Sequence, residues 1–220
     1  MFSRIMRWLL MTLGLAMGLP AAGEPAFAGL SLESLSPDLQ LATRRVIVAT
    51  AMRFDGTFGT AVGRMPVSVR LVPSATVAAA GGEEIAGAAG LCVIREGRAE
   101  ILVATRANTS ISAILAHEAT HAFVAEIFGE VHDPFLNEGL AQWFAAGAWP
   151  PLRNELRHFW LKGGSGAGAS PYVAGFHWME EHANHPRLGE FLRASGRSVS
   201  KNLDDLERRW REFLRTASAD

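Results

Sequence analysis

His117-Glu118-Ala119-Thr120-His121 lies inside a long run of small and apolar residues, with Ile111 to Ala116 before it and Ala122 to Phe128 after it. On a helix, side chains at i and i+4 stand one above the other, so both imidazoles can reach one metal ion. Glu118 follows the first histidine and projects about 100° round the axis, beside the metal instead of in line with the two ligands. That is the place for a general base acting on a water that the metal activates. A solvated helix that carried two histidines by chance would have polar flanks. The apolar flanks predict a buried, metal-bearing helix. Asn108, Thr109 and Ser110 offer N-cap oxygens for it, and Gly129 is placed to end it.

A catalytic zinc site takes three protein ligands and leaves its fourth position to water. Glu138, in Leu136-Asn137-Glu138-Gly139-Leu140-Ala141, is the best-placed third ligand. The sixteen residues between it and His121 suffice to finish one helix, turn, and bring a second helix back over the site. Asp133-Pro134 opens that second helix, and Gly139 allows it a close approach. His132 and Asp133, in the turn, compete for the third position. A metzincin arrangement needs a glycine three residues and a histidine six residues beyond His121. Val124 and Ile127 stand there, so that arrangement is excluded. Tyr172, the chain's single tyrosine, heads a later helix, where its hydroxyl can donate to a developing oxyanion or simply pack half-buried. His177 shares that helix and can line a cleft or pack. His158, His182 and His185 carry weaker signals, and Trp143, Trp160 and Trp178 read as core aromatics.

The His117–His121 pattern and the segment Asn137 to Ala141 together resemble the gluzincin metallopeptidases, which pair such a motif with a downstream glutamate on a second helix. The likeness extends to small bacterial peptidase-MA-like domains. These resemble the chain in strands ahead of the motif helix, an Asn-Glu-Gly-Leu-Ala segment, a tyrosine-led helix, and a last helix rich in leucine and tryptophan. It covers roughly Pro66 to the C-terminus. It is specific at the two motifs and loose elsewhere. The resemblance implies a zincin-like α+β fold, with His117, His121 and Glu138 as zinc ligands, Glu118 as the base and Tyr172 at the head of its helix. Gln142 departs from the pattern, since such domains often carry a glutamate there. The spacing from His121 to Glu138 is slightly shorter than in the large aminopeptidases.

Around this centre the 220 residues, 49% of them hydrophobic, suffice for one compact domain. A formal net charge of -1 gives no basic excess for nucleic acid or an anionic membrane. Arg4 and Arg7, an apolar run from Trp8 to Leu19 too short to span a bilayer, and Ala26-Phe27-Ala28 read as a signal peptide. Cleavage is expected after Ala28, or near Ala22–Gly23, leaving 29–220 as a single domain without a stable membrane anchor. Cys92 is the only cysteine, which rules out an intrachain disulfide. In a predicted strand it reads as a small buried apolar residue.

A helical pattern follows Ser36-Pro37-Asp38. Arg53 to Gly63, with three glycines, reads as a loop. Alternation from Pro66 to Val72 predicts a strand, Ala78 to Gly90 a mobile Gly-rich loop, and Leu91–Ile94 with Glu100–Ala104 a hairpin across Glu96-Gly97-Arg98. Lys162 to Ser170 reads as a flexible connector. Leu203, Leu206, Trp210, Phe213 and Leu214 form the apolar face of a last helix. The expected fold is α+β: a small, mainly antiparallel sheet, then the motif helix and a helical C-terminal half. The expected function is that of an exported zinc-dependent peptidase, periplasmic or secreted, acting on peptide or protein substrates. An inactive metal- or peptide-binding module of the cell envelope is the alternative, and a metal-free assembly factor a third reading. Glu118, which is not needed to hold zinc, favours the enzyme.

Overall fold

The computed structural model describes residues 27, 29–33, 35–81, 88–105, 110–164 and 170–217. Most of the expected leader and the cap candidates Asn108 and Thr109 lie outside them. The elements are β1 (Leu30–Ser31), α1 (Pro37–Phe58), β2 (Val67–Val72), α2 (Ser74–Gly81), β3 (Gly90–Arg95), β4 (Arg98–Ala104), α3 (Ile111–Phe128), α4 (Pro134–Ala148), α5 (Pro150–Phe159), α6 (Pro171–His182), α7 (Leu188–Ala194) and α8 (Leu203–Thr216). A π-helical turn, Trp160–Gly164, follows α5. The fold is α+β and mostly helical.

The sheet runs in the order β1-β2-β4-β3 and is mixed. β1 pairs with β2, and β2 with β4, in parallel, and only β3 and β4 are antiparallel. This corrects the expectation of a mainly antiparallel sheet. Alternating apolar residues mark a strand and its faces but carry no information on direction. Here α2 intervenes between β2 and the hairpin, so β4 returns alongside β2 in the same sense. The hairpin itself turns at Glu96 and Gly97, both with positive φ (51° and 71°), as a two-residue turn of matching twist requires. β4 is buried on both faces. Ile101 and Val103 join the main core with α1 and α3, while Leu102 and Ala104 pack with Val72 and Val77 under α2.

Two stretches read as loops are helical in their first part. α1 continues through Gly56 to Phe58, and Gly59 ends it in the left-handed region (φ 62°). A mid-helix glycine costs about 1 kcal/mol against alanine, but Phe54 offsets this. Its ring lies 5.7 Å from Phe123 of α3 and 5.4 Å from Phe144 of α4. Likewise Ala78 to Gly81 belong to α2, where Val77 is fully buried against the sheet. Residues 82–87 and 165–169, the centres of the two Gly-rich segments, lie outside the described residues.

α3 carries the motif through the middle of the molecule, capped at Ser110, whose oxygen accepts from Ala113 N–H. α4 then folds back along it. α4 and α6 cross at Gly139 and Gly175 with their backbones in contact. A Cβ on Gly139 would meet the carbonyl carbon of Gly175 at 2.4 Å, and one on Gly175 the Phe135 oxygen at 2.2 Å. The other end of α4 is held by Arg53 of α1. Its guanidinium lies 3.9 Å over the Trp143 ring and donates to the Trp143 and Phe144 carbonyls. Burial, with Arg153 nearby, pulls the Arg53 pKa down to about 10.

Asp133 is fully buried at the start of α4. One carboxylate oxygen accepts from the Phe135 and Leu136 amides (3.0 and 3.4 Å). The other accepts from Ser200 N–H (2.9 Å), Ser200 Oγ (2.5 Å) and the Arg209 guanidinium (2.5 Å). The carboxylate therefore caps α4 and anchors α8 to it at once. Removing one partner of a buried ion pair leaves the other charge uncompensated and costs about 3–5 kcal/mol. Asp133→Ala is expected to lose about that much in urea unfolding, whereas Asp204→Ala, in an exposed first turn, should change stability little.

Candidate metal centre

The period of α3 puts His117 and His121 on the face that α4 covers, and Glu138, in the second turn of α4, meets them. His117 Nε2 and His121 Nε2 are 3.1 Å apart. Glu138 Oε2 lies 3.2 Å from the first and 3.7 Å from the second. The three groups lie close enough to bind one metal ion. Glu138 Oε2 is buried and accepts no aligned hydrogen bond, although both imidazoles stand within ion-pair distance. A buried oxygen without a donor is an unusual expense for a protein, and an ion among these three atoms would satisfy it. His121 Nδ1 lies 3.1 Å from Asn137 Oδ1. Donating its proton there leaves the Nε2 lone pair facing the other two ligands, the tautomer a metal requires.

Electrostatics at the site follow from burial and crowding. Burial works to lower the His117 pKa, but contact with Glu138 and the fields of Glu118 and Glu138 outweigh it and raise the value. His121 is pushed down to about 4 by burial and by the positive character of His117. For Glu138, burial opposes ionisation, yet contact with His117 and the fields of both histidines hold the carboxyl below its ordinary value.

Glu118 is 6% exposed and stands beside the cluster, outside the ligand triangle. Burial lifts its pKa to about 7, with Glu138 adding to the rise and with His117 and the Cys92 backbone N–H opposing it. A cation among the ligands would pull it back toward the ordinary carboxylate range. The start of β3 passes directly over this carboxylate. A Cβ at Gly90 would stand 2.6 Å from Glu118 Oε1 and 2.5 Å from Ile114 Cγ2, so a larger residue there would displace both side chains. Cys92 itself is partly covered, and burial, with Glu118 close by, raises its thiol pKa.

Tyr172 heads α6 and is 44% exposed, its ring stacked on His117 with centroids 6.0 Å apart. Burial of its lower half, with the negative fields of Glu138 and Glu118, raises the phenol to about 12, so it is a donor at neutral pH. A cleft of about 400 Å³ opens here, lined by His117, Glu118 and Tyr172 and by residues of β3, α3, α4 and α5, Gln142 among them.

The competing ligands are engaged elsewhere. Asp133 caps α4, and His132, half-exposed, pairs with Glu130 at 3.3 Å. His177 packs against Trp160, centroids 4.3 Å apart, and His182 meets Glu207 at 3.2 Å. Trp178 is core, whereas Trp143 and Trp160 are partly covered. The roles of Asn137, Gly90 and the Cys92 amide are not readable from the motif. Only Asn137, directly before Glu138, left a trace in the sequence.

Comparison of the chain with protein-family models, with curated proteins and with solved structures finds no match.

Zinc titration of the full chain is expected to show one bound ion. Glu138→Ala should weaken it severely, and Asn137→Ala, which frees the His121 ring, by about 10–100-fold. Unchanged affinity in Glu138→Ala would remove Glu138 from the ligand set.

Proposed function

We propose that this chain is an exported zinc-dependent peptidase of the gluzincin type, with a zincin-like fold. The observation that carries the reading is Glu118. It is a buried carboxylate that stands outside the ligand triangle yet faces the same cleft. A metal-binding scaffold has no use for it, and a hydrolase needs a base there.

The donor set supports zinc. Two imidazole nitrogens and one carboxylate oxygen are a usual catalytic zinc set, and bonds of about 2.0–2.1 Å at tetrahedral angles separate neighbouring ligands by about 3.3 Å. The observed separations of 3.1, 3.2 and 3.7 Å bracket that edge. When bound, the ion would polarise the scissile carbonyl and acidify a water. Glu118 Oε1 or Oε2 takes the water's proton and passes it to the leaving amine nitrogen. Tyr172, still protonated at neutral pH, donates its hydroxyl to the oxyanion. Asn137 holds the His121 ring in register. A peptide is the substrate favoured by β3, an edge strand beside the cleft with no further strand on it among the described residues. Extended peptides add to such edges through backbone hydrogen bonds. No helix among the described residues is long and apolar enough to cross a membrane. Export rests on the leader-like residues 1–28 alone.

Glu118→Gln keeps size and packing and is expected to retain zinc while losing nearly all turnover on a peptide library. Turnover equal to the parent chain would sink the mechanism.

Tyr172→Phe removes one oxyanion donor. It should lower kcat by about 10²–10³ with little change in KM, zinc content or melting temperature. Parent-like kcat would reduce Tyr172 to a ring that buttresses His117.

A further inference from the structure

The cleft does not end at the ligands. From His117 and Glu118 it passes along α4 by Gln142 and Ala145 to Trp149, then onto α5 at Leu152 and Glu155. The seven residues from Gln142 to Trp149 carry this arm roughly 10 Å along the helix axis. Small and apolar residues of α3 and of the approach to β3 form the facing wall.

Glu155 lies at the far end of this arm. It is exposed and has no ion-pair partner among the described residues. The two arginines beside it on α5 are committed elsewhere, since Arg153 and Arg157 both hold Glu180. Among the described residues that line the cleft, none is a lysine or arginine. The arm therefore presents an apolar wall with an indole and a half-buried Leu152, ending in a carboxylate with no ion-pair partner among the described residues. This suits a side chain with a long apolar stem and a cationic head. The stem lies along the wall, and the head reaches Glu155 with the Trp149 ring close by.

We propose that this arm is a subsite for a lysine or arginine side chain of the substrate, and that Glu155 is its specificity-determining residue. This rests on the peptidase reading for the substrate being a peptide. At about 3.3 Å per extended residue, the basic residue falls within about four residues of the bond placed at the ligands.

The test separates binding from turnover. Decapeptides with a single Lys, Gln or Glu stepped through each position are titrated into zinc-loaded Glu118→Gln protein, read by fluorescence anisotropy. The Lys peptides should bind about three- to tenfold tighter than the Gln peptides at one or two adjacent positions, with the gap narrowing in high salt. Adding Glu155→Gln should abolish the preference, and Glu155→Lys should invert it toward the Glu peptides. Glu155 is exposed, so unchanged melting curves are expected for both. Absence of a Lys preference at every position, or its survival in Glu155→Gln, overturns the subsite. Turnover of the same peptides by the parent chain is scored separately. Lys-selective binding without turnover leaves the subsite standing and overturns the peptidase reading, and turnover without a Lys preference does the reverse.

Discussion

The crossing of α4 and α6 at Gly139 and Gly175 is the contact on which the site depends. The two helices touch main chain to main chain, and a single methylene at either glycine would drive into a carbonyl group of the other helix. Glu138 precedes Gly139 by one residue, and Tyr172 precedes Gly175 by three. One contact therefore sets the reach of a candidate metal ligand from one helix and the height of the tyrosine ring over His117 from the other. Arg53 on the C-terminal half of α4 and Asp133 at its start fix the same helix against sliding and rotation. α4 is thus held at both ends and in the middle, as a ligand-bearing element must be if a shift of half an ångström is to matter.

The price is visible in the charges. Three ionisable groups meet within 3.7 Å of one another, Glu118 is buried beside them, and a Glu138 oxygen lacks an aligned donor. Each of these raises the free energy of the fold without a cation. The surrounding core offsets it. The rings of Phe54, Phe123 and Phe144 interlock α1, α3 and α4 behind the site. A second aromatic cluster, Trp178, Phe191 and Trp210, ties α6 to α7 and α8. Local rules are broken at the candidate metal centre and kept in the core around it.

The centre of the site was legible in the sequence because it obeys helix arithmetic. The i, i+4 histidines and the interval to Glu138 depend on spacing, Tyr172 entered through the resemblance, and all converge in space. Sheet direction was not legible, because β4 pairs in parallel with β2 and antiparallel with β3 under one and the same alternation. Nor were the full lengths of α1 and α2. Gly56 and Gly81 look like breakers, and only the burial of Phe54 and Val77 shows why a helix tolerates them. Gly90 looked like part of a connector, yet it is the residue that lets β3 lie on Glu118. Backbone donors such as the Cys92 amide leave no mark on a sequence, because every residue but proline has one.

Asp133 has a consequence in time as well as in space. Its carboxylate caps the ligand-bearing α4 with one oxygen and is itself held by Ser200 and Arg209 with the other. During synthesis, both histidines and Glu138 leave the ribosome more than sixty residues before Ser200 does. Until then Asp133 lacks the donors of its second oxygen, and α4 lacks α8 at its foot. A nascent chain therefore carries both histidines and Glu138 before α4 is clamped, since the clamp waits on Ser200 and Arg209. Emergence of Ser200 and Arg209 thus completes the clamp on the helix that carries Glu138.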